Sequence, residues 1–313
     1  MMREMQTALQ QLPWNELTPA TQTKIKNVVS GSPLFHRMPQ QKVYADSEIY
    51  QFLLRHPDLV IGFWEELGAT QLSLREVREN QYVLRETGGT AAAIEVLHRT
   101  NDLCIVYARG EYRGPLLAKS YQGDVVLVLR TQYVRDEMNE PMIVCDLETF
   151  IQINSLGADM LVKLFFASLS KVADSNFEIT VSFASQMSKA ASRTPGTLKD
   201  TAEEITSVRQ EICVEFGDVV DRVAMRFARR NQPASLSTAQ RQTQPVARPR
   251  KNSQDVALSS DPSEDWRTTP IFEAPQFFYE TVRYEGPDEL IIPKQVESGH
   301  TGDTIPKLPG PMW

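Results

Sequence analysis

Cysteine and histidine are scarce in this sequence, with three of the former and four of the latter in 313 residues. The cysteines, Cys104, Cys145 and Cys213, are widely spaced and form no CxxC pair. An odd and dispersed set argues against a disulfide framework and against a zinc site. Cys104 and Cys145 lie in apolar runs, where we expect buried free thiols. We therefore expect no metal.

Long apolar runs and targeting signals are also missing. No window approaches the ~20 apolar residues that a membrane-spanning helix needs. The opening MMREMQTALQQLPW carries early charges and no continuous apolar run, so it does not resemble a signal peptide. The net charge of −7 argues against a nucleic-acid partner, because such proteins favour basic surfaces. We expect a soluble, cytoplasmic protein.

Catalytic and cofactor motifs are absent as well. The pair Gly88-Gly89 marks a turn and fits neither a P-loop nor a dinucleotide fingerprint. Ser155 and Ser185 do not lie in GxSxG contexts. We expect no cofactor and no catalytic residue, and the sequence leans away from an enzyme.

The stretch QFLLRHPDLVIGFWEELG, residues 51–68, predicts two short helices that meet at His56 and Pro57. Proline is tolerated at the first position of a helix, and it disfavours helical geometry in the residue before it. We expect Gly68 to end the second helix. Both helices have apolar faces, so the pair must cover another element of the fold.

From residue 70 to 154 the apolar period changes to two, which is typical of strands. Short turn signals separate the runs, and short turns favour an antiparallel meander. After a weak strand near 35–46, strands are predicted near 71–77, 81–87, 91–99, 102–112, 123–135 and 141–153. Both faces carry apolar residues, so we expect the N-terminal arm or the C-terminal helices to cover the second face.

Helical periodicity follows the strands. A long helix is predicted over 155–192, and a further amphipathic helix over 197–229. Beyond residue 230 the composition shifts to Gln, Ser, Thr, Pro and Arg, which is typical of disorder. The chain is thus divided into a helical arm at 1–34, a sheet-and-helix domain at 35–193, an amphipathic helix at 194–230 and a largely disordered tail at 231–313.

The tail contains an aromatic segment at 270–292, with the sequence PIFEAPQFFYETVRYEGPDELII. Disordered segments seldom keep so many aromatic residues without a docking surface. Two interpretations stay open, since the segment would dock either on this chain's own sheet or on a protein partner. The sequence does not indicate an oligomeric state.

In chain order the elements are a weak strand, two helices, a six-stranded meander and a long helix. This order resembles the START and Bet v 1 helix-grip superfamily over residues 35–192. The stretches YQFLLRHPDLVIGFWEELG and GADMLVKLF resemble an uncharacterised bacterial family. The resemblance implies an α+β fold in which a curved antiparallel sheet of six to seven strands wraps a long C-terminal helix, with added N-terminal and C-terminal helices.

A curved sheet around one helix leaves space between them, and that space is apolar when the inward faces are. It would suit a lipid or another hydrophobic small molecule, although large side chains could equally fill it as a solid core. Alternation places His98 inward, either as a core residue or as a polar anchor for a ligand. The candidate ligand-binding residues are Phe52, Trp64, His98, Val106, Leu129, Tyr133, Leu147 and Phe165. The alternative is a scaffold or interaction protein that acts through the 197–229 helix and the tail.

Overall fold

The computed structural model describes residues 2–30, 33–87, 89–113, 120–154 and 158–230. Within these ranges, residues 2 and 158–169 are described by their backbone alone. The predicted disordered tail at 231–313 and its aromatic segment at 270–292 lie outside these ranges. Seven helices occur within them, and none combines the length and apolar character needed to cross a bilayer. The helices are α1 Met2–Gln10, α2 Pro19–Val29, α3 Ser47–Arg55, α4 Pro57–Glu66, α5 Ala158–Arg193, α6 Pro195–Glu204 and α7 Gln210–Arg230.

The strands of the described ranges form one antiparallel sheet. They are β1 Leu34–Arg37, β2 Gln41–Tyr44, β3 Leu72–Arg78, β4 Gln81–Glu86, β5 Thr90–Arg99, β6 Leu103–Tyr112, β7 Tyr121–Arg135 and β8 Pro141–Ile153. The spatial order is β1-β8-β7-β6-β5-β4-β3, and β2 also pairs with β8. The predicted α+β fold, with a meander of six strands followed by a long helix, is confirmed.

One edge of the sheet is shared by two short strands. The weak strand predicted near 35–46 is split into β1 and β2, which pair with successive parts of β8. Pro39 lies between them and has no N–H group to donate to a ladder. The neighbouring Met38 still donates its N–H to the carbonyl oxygen of Leu147 at 2.9 Å, so the edge stays attached across the break.

The sheet buries apolar side chains on both faces. We call the face that packs against α5 the grip face and the opposite one the outer face. The grip face shares one core with α3 to α7. On the outer face, Ile25 and Val28 of α2 share a second core with Val126 and Phe150 of the sheet. Of the two covers expected for the second face, the N-terminal arm is therefore the one present.

The helix pair predicted at residues 51–68 is confirmed. The Asp46 carboxylate accepts from the backbone N–H of Glu48 at 2.9 Å and caps α3. His56 leaves helical geometry with φ −122° and ψ 69°, and Pro57 begins α4. Gly68 follows α4 with φ +64°, a left-handed conformation that glycine adopts without strain.

The prediction of a single helix over 197–229 is wrong. Ile205 has extended geometry (φ −69°, ψ 113°) and ends α6, and α7 begins only at Gln210. The connection between them is anchored by tertiary packing, since Ile205 and Val208 are 2% and 7% exposed in the main core. Helical periodicity continues across this break in the sequence, so the periodic pattern alone did not reveal it.

The three cysteines are buried and free, as predicted for Cys104 and Cys145. Burial is the largest influence on each thiol and raises the pKa of Cys104, Cys145 and Cys213. Within the described part of the chain, no group of three or more His, Cys, Asp and Glu side chains could hold a metal ion.

Candidate functional site

Cross-strand pairing decides which side chains share the grip face. Val106 of β6 pairs with Leu127 of β7, and Leu129 of β7 pairs with Leu147 of β8. Side chains directly opposite each other lie on the same face, as do residues two apart in one strand. The structure therefore brings three of the predicted site residues, Val106, Leu129 and Leu147, onto one surface.

Part of this surface is incompletely covered. Several grip-face residues of β6, β7 and β8 are only partly buried, and we call five of them the inner strip: Val106, Ala108, Val125, Leu127 and Ile151. Their neighbours on the outer face are each 0% exposed: Ile105, Val126, Val128 and Phe150. At these positions the outer face is sealed, whereas the face that carries α5 is only partly covered.

Small side chains lie beside the inner strip. Ala92 of β5 pairs with Gly110 of β6, and a Cβ on Gly110 would lie 3.4 Å from the Cβ of Ala92. Ala108 continues the row toward Val125. Short side chains occupy less of the space above a sheet than Leu or Phe would.

A buried hydrogen-bonded group closes the α3 end of the grip face. The Tyr50 hydroxyl lies 2.9 Å from the Thr131 hydroxyl and 3.3 Å from the Cys145 sulfur. Burial and the neighbouring Cys145 raise the pKa of Tyr50 well above its ordinary value. Tyr133, a predicted site residue, packs edge-on against Tyr50 and donates its hydroxyl to the carbonyl oxygen of Asn101 at 2.8 Å. It lies beside this closing group and outside the inner strip.

Two predicted aromatic residues do not line the inner strip. Phe52 is 0% exposed and packs against Phe216 of α7, with ring centroids 5.6 Å apart. Trp64 is 2% exposed and packs against Phe183 of α5 at the same centroid distance. The prediction counted them as ligand-binding residues because it placed the helix of residues 197–229 outside the sheet-and-helix domain. Phe165 lies in α5, but its side chain is outside the described residues and its role stays a prediction.

The inward orientation predicted for His98 is wrong. Val96 pairs with Val106, but His98 pairs with Ile105, because a bulge between Val96 and His98 shifts the register by one residue. A one-residue shift moves the following side chains to the other face. His98 therefore lies on the outer face, and Arg99 takes the place on the grip face that simple alternation assigned to His98.

The His98 imidazole faces the N-terminal arm. Its Nε2 lies 3.9 Å from a carboxylate oxygen of Glu16, beyond hydrogen-bond distance. A depression of about 400 Å³ opens there, lined by residues that include Gln11, Glu16, His98 and Arg130. A second depression, of about 180 Å³, lies between α3 and the β5–β6 turn. Both are separate from the inner strip.

Polar side chains gather at the β1 edge of the inner strip. Nε2 of His36 in β1 lies 2.7 Å from a carboxylate oxygen of Asp174 in α5. His36 pairs with Thr149 of β8, which in turn pairs with Leu127 of the inner strip. Sequence reasoning missed this polar cluster of His36, Thr149 and Asp174. The only available signal was alternation along β1, and β1 is too short to show it clearly.

The predicted partner-binding helix has another role. The apolar stripe of α7 is buried in the main core, where Phe216 and Val220 are 0% and Val219 is 1% exposed. Arg222 and Arg226 bind the Glu48 carboxylate at the start of α3, at 2.6 and 2.7 Å. The scaffold alternative therefore depends on the tail and stays a prediction. The mass of the protein in solution with and without residues 231–313, together with partner capture, would test it.

No protein-family model matches the sequence, and no curated protein matches it. Solved structures do match. A conserved protein from Geobacillus kaustophilus is 17% identical, with 48% of this chain and 95% of that chain covered and a TM-score of 0.34. Norcoclaurine synthase from Thalictrum flavum is 14% identical, with 47% and 87% covered and a TM-score of 0.27. Ara h 8.0201 is 10% identical, with 44% and 94% covered and a TM-score of 0.26. Identities and TM-scores of this size carry no information about ligand or reaction.

Proposed function

We propose that the chain binds an apolar small molecule, such as a lipid chain, between the grip face and α5. The observation that carries the proposal is the contrast between the two faces of β6, β7 and β8. Val126 and Val128 on the outer face are fully buried, whereas Val125 and Leu127 on the grip face are only partly buried. A close-packed core would bury both sets alike.

A modest apolar contact is enough for measurable binding. Burial of apolar surface gains roughly 25 cal/mol per Å², so about 300 Å² covered by a ligand gains about 7.5 kcal/mol. Ordering and immobilising the ligand offset part of that gain. We therefore expect dissociation constants between roughly micromolar and millimolar for simple apolar probes.

A pair of alanine variants would test the proposal. Ala108 lies in the inner strip, whereas Ala93 of β5 is exposed on the outer face opposite Arg109. Ala108→Phe would fill an open space, and we expect it to weaken binding of the neutral fluorophore N-phenyl-1-naphthylamine at least about tenfold without lowering Tm. Ala93→Phe is the matched control and is expected to change neither.

A solid core gives the opposite result. In that case the fluorophore would not bind the parent protein, and Ala108→Phe would destabilise it by about 1–3 kcal/mol through overpacking. Native mass spectrometry of the full chain provides an independent check. We expect added mass from a co-purified apolar molecule, which mild organic extraction should remove.

A further inference from the structure

The hydroxyl of Thr149 is a buried polar group on the grip face. Thr149 is 5% exposed and lies on the grip face between Leu127 of β7 and His36 of β1. Its Oγ1 has no hydrogen-bond partner among the residues that the structure describes. A buried hydroxyl that loses its bonds to water destabilises a fold unless another group replaces them. A polar group of a molecule bound beside Leu127 would supply such a bond.

The surroundings of Thr149 restrict the chemistry of that partner. Asp174, the carboxylate of the polar cluster, already lies 2.7 Å from His36. Among the described residues, the cluster contains no lysine or arginine, so an anionic group would gain no ion pair with such a side chain there. A cationic group would have to compete with His36 for Asp174. A neutral hydroxyl or carbonyl group needs neither a cationic partner nor the Asp174 carboxylate, because a single hydrogen bond to Oγ1 of Thr149 is enough to bind it.

We propose that the polar cluster anchors the head group of a neutral amphiphile, with one hydroxyl or carbonyl group bound to Thr149 and its hydrocarbon part on the inner strip. This inference rests on the proposed function, because the inner strip must be open for the hydrocarbon. The adjacent pairing of Leu127 with Thr149 places the apolar surface directly beside the hydroxyl. An apolar ligand without a polar head would leave Thr149 unsatisfied.

The test compares two probes of equal shape in the full-length protein. 2-Naphthol and 2-methylnaphthalene differ by a hydroxyl in place of a methyl group, and each is measured by displacement of N-phenyl-1-naphthylamine. Thr149→Val removes the hydroxyl and keeps the volume. We expect this variant to reduce the preference for 2-naphthol over 2-methylnaphthalene, measured as the ratio of their dissociation constants, by about tenfold. We also expect the ligand-free Tm to rise by about 2–4 °C, because an unpaired buried hydroxyl is removed.

Thr131→Val is the matched control, since Thr131 is a buried grip-face threonine whose hydroxyl lies 2.9 Å from that of Tyr50. We expect it to lower Tm and to leave the preference between the probes unchanged. If Thr149→Val lowers Tm, or weakens both probes equally, the anchor is refuted while apolar binding stands. If the parent protein does not bind N-phenyl-1-naphthylamine, the proposed function fails and the anchor fails with it.

Discussion

Replacing Gly62 with alanine should destabilise the protein even though alanine is the better helix former. Gly62 lies within α4, where a Cβ would come within 2.6 Å of Cγ2 of Ile205 and 3.2 Å of Cγ2 of Val208. Favourable contacts between carbon atoms lie at about 3.5–4.0 Å. Both neighbours are β-branched and stiff at χ1, so they cannot rotate away without strain. The α4 helix must therefore separate from the α6–α7 connection.

The expected magnitude combines two opposing effects. Overpacking costs about 1–3 kcal/mol, and the higher helix propensity of alanine returns about 1 kcal/mol. Gly217 in α7 provides the matched control, because its nearest neighbour would be Cδ of Lys199 at an ordinary 3.5 Å. Gly217→Ala should thus gain about 1 kcal/mol. We expect the two variants to differ by about 1–3 kcal/mol.

Urea denaturation followed by far-ultraviolet circular dichroism measures both variants. The slope of the free energy of unfolding against urea should stay unchanged, so that the midpoint alone reports stability. Equal midpoints for Gly62→Ala and Gly217→Ala would refute the close approach of α4 to residues 205–208. Equal midpoints would also contradict the packing of residues 194–230 in the main core.

Three further variants test the core and its charges. Burial raises the pKa of Asp58. The stability that this carboxyl group contributes is therefore complete below its unfolded pKa and is lost as the pH rises through its folded pKa. Asp58→Asn should raise the free energy of unfolding at pH 7 and flatten its dependence on pH in urea melts from pH 4 to 8. Phe216→Ala should cost about 3–5 kcal/mol in the same assay, because the ring is 0% exposed against Phe52, and a cost below about 1 kcal/mol would contradict that packing. Arg226→Gln should cost only about 0.2–1 kcal/mol, since the arginine is 46% exposed. Burial alone would raise the pKa of Glu48, but Arg226 and Arg222 outweigh it, so Arg226→Gln should also raise the pKa that NMR titration reports for Glu48.

Much of the fold could be predicted because its signals are local. The proline at residue 57 and the glycine at 68 mark helix boundaries, and period-two patterns mark the six strands of the meander. The surface formed by Val106, Leu129 and Leu147 was also predictable, because alternation holds along regular strands. These features depend on residues that are near one another in sequence.

The errors arise where tertiary structure overrides such patterns. The bulge before His98 inserts one residue into β5 and leaves no distinctive residue type, so alternation assigned the imidazole to the wrong face. Ile205, where α6 ends, lies against Gly62, a residue far away in the sequence. Phe52 and Trp64 were assigned to a ligand site because nothing local showed that Phe216 and Phe183 would cover them.

The pairing of both β1 and β2 with β8 has a consequence for folding during translation. Residues 34–44 emerge from the ribosome early, yet both short strands they form find their ladder only in residues 142–151. The hairpins from β3 to β7 can close meanwhile, since each joins sequence neighbours. Residues 34–44 therefore cannot form their strand pairs until residues 142–151 have been synthesised. Until then, their unpaired backbone groups must be kept from pairing with other nascent chains.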